Sequence, residues 1–91
     1  MHTKTNKTEW SLLPWDELEG VARALMAGNR DGRAPGDWKV KQTRLLCVNA
    51  AFRHLIAYAR GERYDENNVK HLSQAIARLL MADFFDNQGD K

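Results

Sequence analysis

Cysteine is nearly absent: Cys47 stands alone, so the chain can close no internal disulfide and suits a reducing compartment. No apolar run approaches the roughly 20 residues a bilayer crossing needs. The first residues, Met-His-Thr-Lys-Thr-Asn-Lys, lack the apolar stretch of a secretory leader, so the expected location is cytoplasmic. There is no Cys-x-x-Cys, no Gly-x-x-x-x-Gly-Lys phosphate loop and no Ser/His/Asp arrangement that spacing alone would support. Repeats and low-complexity segments are missing as well. Only two prolines interrupt 91 residues. Excess charge is also scarce, at +2 overall, with 43% hydrophobic and 29% charged residues, a globular balance.

That small net charge is unevenly placed. Residues 30–63 carry Arg30, Arg33, Lys39, Lys41, Arg44, Arg53, Arg60 and Arg63 against Asp31, Asp37 and Glu62, a local excess of +5. Such a field suits a phosphorylated small ligand and is too weak for long nucleic acid, which takes several phosphate contacts. Within it Arg53, Arg60 and Lys39 are the candidate phosphate contacts. Trp38, at the end of a basic loop, is either a core anchor or a platform on which a base stacks. Ordinary solvated helix faces are the plain alternative for these charges.

Apolar periodicity predicts an all-α domain of three helices, about 14–28, 40–60 and 66–85. A polar arm (1–10) precedes the single domain (11–85), and an acidic tail (86–91) follows it. Pro14 suits a first helical turn, where its missing N–H has no partner to lose. Asp16, Glu17 and Glu19 favour the positive end of that helix, and Gly28 is its expected stop. Residues 29–37 read as a loop. In the second helix Leu45, Val48, Phe52, Leu55, Ile56 and Ala59 form the predicted buried stripe, ended by Gly61 as a left-handed cap. Asp65 is the expected cap of the third, with Tyr64 and Val69 stapling across it. Val69, Leu72, Ile76, Leu79 and Leu80 are its expected inward positions. Further apolar residues, Met81, Phe84 and Phe85 among them, widen that face beyond what three helices cover, which predicts a homo-oligomer.

The hairpin between the second and third helices gathers the chemistry-bearing side chains. An antiparallel turn at Gly61 brings His54 toward His71, with Glu62 and Asp65 between them. Carboxylates and imidazoles on facing helices are a common way to hold a divalent metal. Glu19, His54, Asp65 and His71 are the metal-facing candidates, His71 and Glu19 also the catalytic ones. Each has a structural alternative: Asp65 as a cap, Glu19 as a dipole partner, the imidazoles as hydrogen-bonded helix residues, and Cys47 as inert packing.

At Ser11-Leu-Leu-Pro-Trp-Asp-Glu-Leu-Glu-Gly-Val-Ala-Arg23, Gly28 with Asp37-Trp38, Phe52-Arg53-His54-Leu55, Gly61-Glu62 with Asp65, and His71-Leu72, the chain resembles the phage dATP/dGTP diphosphohydrolase N-terminal domain family. The resemblance runs over about residues 11–85. It implies an all-α fold with functional kinship to MazG-type nucleotide pyrophosphohydrolases. It also implies cleavage of a deoxynucleoside triphosphate to monophosphate and pyrophosphate with Mg²⁺ or Mn²⁺, in the cytoplasm of an infected host cell. Three departures stand out. Asn49 replaces an expected Asp, Gln74 ends what would be a His-x-x-His, and the 29–36 loop lacks a Lys-Tyr-Gly element. An amide supplies a metal with neither a carboxylate's charge nor an imidazole's lone pair. The sequence therefore leaves three readings open. They are a metal-dependent nucleotide pyrophosphohydrolase, a non-catalytic protein that sequesters a nucleotide or immune signal, and an inhibitor that binds a host protein.

Overall fold

The computed structural model describes residues 7–27 and 36–89. The 1–6 part of the arm, Gly28, most of the 29–37 loop and the last two residues of the tail lie outside them. Among the described residues four α-helices follow a 3₁₀ turn at Trp10–Leu12: α1 Trp15–Ala27, α2 Trp38–Lys41, α3 Arg44–Ala59 and α4 His71–Gln88. Pro14 accepts the Leu18 N–H through its carbonyl and so opens α1.

The second predicted helix is two. Gln42 and Thr43 are extended, and the Thr43 side chain accepts the Leu46 N–H at 3.2 Å, capping α3. Its far end follows expectation. Gly61 is left-handed (φ 98°), its N–H bonds Tyr58 O, and the Glu62 N–H bonds Ala57 O. These paired bonds form the Schellman arrangement that only a residue without Cβ adopts cheaply.

Asp65 caps no helix directly. Its Oδ1 accepts the N–H groups of Asn67 (2.8 Å) and Val69 (2.9 Å), and its own N–H bonds Val69 O. A carboxylate satisfied by nearby backbone holds that backbone in a turn rather than a helix. Asn68 is left-handed there (φ 65°), and Tyr64 bridges Lys70 beside it. Helix α4 therefore starts at His71, not 66. It runs on to a left-handed Gly89, so residues 86–88 of the expected tail are helical.

Helix α4 lies between α3 and α1. In the core Cys47 of α3 packs with Met81, Ala82 and Phe85 of α4, and the small Ala50, Ala51 and Ala75 of the same two helices are buried as well. Phe85 and Cys47 are fully enclosed, and Trp38 meets Phe84 and Phe85 edge-on at 5.1 and 5.9 Å. The predicted stripe is thus corrected. Leu45 (67% exposed), Phe52, Leu55 and Ile56 face outward, as do Ile76, Leu79 and Leu80. Alanines let the two backbones approach closely, and the larger apolar residues are left on the outer surface of the pair. On α1, Val21 is buried and Gly20 lies against Ser73. No helix among the described residues is long and apolar enough to cross a membrane.

Candidate functional site

The cap that ends α3 also builds the site. Gly61 turns the chain so that Glu62 follows at once, and Arg63 O accepts the His71 N–H at 2.9 Å, fixing where α4 begins. The Glu62 Oε2 then sits 2.8 Å from His71 Nε2, and His71 Nδ1 sits 2.9 Å from His54 Nδ1. His71 is buried and His54 half-buried, with ring centroids 5.2 Å apart.

This chain of contacts constrains the protons. An ionised Glu62 can only accept, so His71 carries its proton on Nε2. In a neutral ring His71 Nδ1 is then an acceptor, and His54 Nδ1–H donates to it. That leaves the lone pair of His54 on Nε2. A proton taken there can be passed on through the Nδ1 pair, leaving the positive charge on His71 beside Glu62. Two imidazoles and a carboxylate thus form a proton relay.

The surroundings disfavour the charged form of His54. Burial lowers its pKa most; the neighbouring His71 ring, which could not share a second positive charge cheaply, and the charges of Arg78 and Arg53 lower it further, against an opposing pull from Asp65. Asp65 is itself pushed upward by burial. The hydrogen bonds from Val69, Gln74 and Asn67 outweigh this and hold its carboxyl below 3.8. Gln74 Nε2 donates to Asp65 Oδ2 at 3.0 Å and to Val69 O at 3.3 Å, tying the 65–69 turn to α4. Arg78, half-buried on α4, bears on both His54 and Cys47. Burial raises the Cys47 thiol pKa despite Arg78, which suits the packing role expected of it.

The site residues expected from sequence are only partly brought together. His54 and His71 meet, with Arg53 beside them, and Asp65 is close enough to act on both electrostatically. Glu19 instead pairs with Arg23 on the exposed side of α1. Lys39 lies over the rings of Trp38 and Phe84, and Trp38 packs into the core as an anchor. From His71 to Phe85 the helix rises about 21 Å. Trp38 and Lys39 therefore sit far from the histidines of the same chain. Arg60 is the C-cap of α3. Glu62 and Arg78 were not singled out as ligands by the sequence. The residue after a glycine cap is the available signal for Glu62, while Arg78 is visible only once α4 has its observed register.

The expected metal set, Glu19, His54, Asp65 and His71, does not converge. Among the described residues no group of three or more His, Cys, Asp or Glu side chains is arranged to hold a metal ion. Both Asp65 oxygens are engaged, and the two imidazoles that do meet prefer zinc, nickel or copper to Mg²⁺. The donors of one chain therefore do not fit a resident Mg²⁺ or Mn²⁺.

Comparison with curated proteins and with solved structures gave no match. A family model described as "dATP/dGTP diphosphohydrolase, N-terminal" matches residues 1–91, the whole of the sequence. The order of residues noted above, the helical fold and this match agree, and the chain belongs to the dATP/dGTP diphosphohydrolase N-terminal family.

Proposed function

We propose that this chain binds a deoxynucleoside triphosphate at the mouth of the α3–α4 hairpin and takes part in its hydrolysis to monophosphate and pyrophosphate. The observation that carries the reading is the continuous Glu62–His71–His54 relay, with Arg53 and Arg78 close enough to act on His54. The arginines bind phosphate oxygens, Arg being suited to that geometry. His54 Nε2 takes a proton from the water attacking the α-phosphorus. The bond from that phosphorus to the bridging oxygen then breaks, and pyrophosphate leaves. Glu62 holds His71 in the tautomer that lets the proton be shared. The divalent cation, Mg²⁺ or Mn²⁺, enters with the nucleotide as part of the substrate. Self-association through the outward apolar residues of α3 and α4 belongs to the same reading.

One observation favours a second reading, sequestration without cleavage. Gln74 stands where the resemblance expects a histidine, and its amide is spent on Asp65.

Incubating the protein with dATP or dGTP and Mg²⁺ or Mn²⁺, then separating the products, tests both. Monophosphate and pyrophosphate support hydrolysis, with His71→Ala losing turnover while keeping its helical content. Intact nucleotide released on denaturation supports sequestration. If no nucleotide is retained or cleaved, both readings are lost and binding to a host protein takes their place.

A further inference from the structure

The first turn of α4 has a second side, facing away from the histidines. His71 and Ser73 are two residues apart, so they point in nearly opposite directions around the helix. Where His71 meets α3, Ser73 meets α1, and a cavity of about 460 Å³ opens between them. That is within the range of small-ligand pockets. Gly20, Arg23 and Met26 line it from α1, Val69 and Lys70 from just before α4, and Ser73 from its first turn.

Three features point to an anion. Among the described residues the N–H groups of Leu72 and Ser73 have no backbone acceptor, since the hydrogen bonds entering α4 there are those of His71 to Arg63 O and Gln74 to Lys70 O. The helix has no side-chain cap to take their place. Ser73 is only 8% exposed, yet among the described residues its hydroxyl has no hydrogen-bond partner, and it lines the cavity. Among the described residues no sealed side-chain oxygen lacks a partner, so the Ser73 hydroxyl keeps its access through the cavity, where a ligand oxygen can take the place of water. The charged lining residues are Arg23 and Lys70, with no carboxylate among them. The ion pair of Arg23 with Glu19 is solvent-exposed, so it is a weak competitor for an incoming anion. Gly20 lets α1 come close to the hydroxyl: a Cβ there would lie 2.9 Å from Ser73 Oγ.

We infer that this α1–α4 cavity is a binding site for the phosphate group of a small molecule, separate from the histidine relay. Two N–H groups, a hydroxyl and two cations match the several oxygens of a phosphate better than the two of a carboxylate. Met26 and Val69 supply an apolar wall for the body of an organic ester. The site does not depend on the hydrolytic reading, because none of its residues belongs to the relay.

Amide and methyl NMR with two probes, inorganic pyrophosphate and deoxyguanosine monophosphate, tests this. Saturable shifts at Gly20, Leu72 and Ser73 are expected with either probe. Added shifts at the Met26 methyl with the monophosphate would identify an ester as the natural source, and their absence a free phosphate. Ser73→Ala and Lys70→Glu should each weaken binding about tenfold, the scale of one charge-assisted hydrogen bond, with unchanged helical content. His54→Ala should leave these shifts intact. Unmoved resonances in the folded protein overturn the site, as does undiminished binding in both variants. So do shifts confined to His54, Glu62 and His71, which would place the anion at the relay.

Discussion

Asp65 shows how one side chain can look like one device and work as another. Its place before a run of polar residues and an apolar helix reads as a helix cap. In the structure it closes a turn through two backbone N–H groups and holds Gln74 from α4. Asp65→Ala leaves those donors without their acceptor and should cost about 1–3 kcal/mol, measured by urea unfolding. The histidines were legible as a pair, because a glycine-capped hairpin must bring them together. Their carboxylate was not, because the orientation of Glu62 depends on the Schellman turn. Titration follows from the same contacts. The pKa of His54 is lowered from 6.5, so below that value the unfolded chain binds more protons than the folded one. The His54 contribution therefore makes stability rise with pH through this window and fall away as the solution is acidified. The urea midpoint should be lower at pH 5.5 than at pH 7.5, and His54→Gln should flatten that difference. An unchanged slope in the variant would remove His54 as its source.

At the scale of elements, helices were easier to read than the faces they bury. The apolar period located the start of α1 within a residue and placed the close of α3 at Gly61. It misjudged which side of α3 and α4 faces inward. Hydrophobic size points to Leu45, Phe52 and Ile56, but the helix contact selects Cys47, Ala50 and Ala51, whose small side chains let backbones approach. The large payload is concentrated in Phe85, which is fully enclosed against Trp38 and Cys47. Phe85→Ala should therefore cost about 3–5 kcal/mol in unfolding free energy. Thr43→Ala removes the acceptor of the Leu46 N–H and should cost about 1 kcal/mol. A Phe85→Ala protein as stable as the parent would show that the core lies elsewhere.

The whole molecule leaves unusually large apolar side chains in water for its size. Leu45, Phe52, Leu55 and Ile56 on α3 and Ile76, Leu79 and Leu80 on α4 are all exposed. A domain of this length has little core to spare, and covering such a surface would add stability that one chain lacks. Light scattering of the purified protein should give a mass that is a multiple of 10.4 kDa. Phe52→Glu should lower it toward that of one chain. A parent protein of single-chain mass would show the apolar face to be uncovered by another copy. The hairpin mouth carries the proposed nucleotide site, and ring nitrogens report on it directly. Titrating dGTP with Mg²⁺ into protein labelled with ¹⁵N-histidine should shift the His54 and His71 resonances together and saturably. Histidine rings that stay unmoved at saturating nucleotide would contradict a phosphate site built on the Glu62–His71–His54 relay.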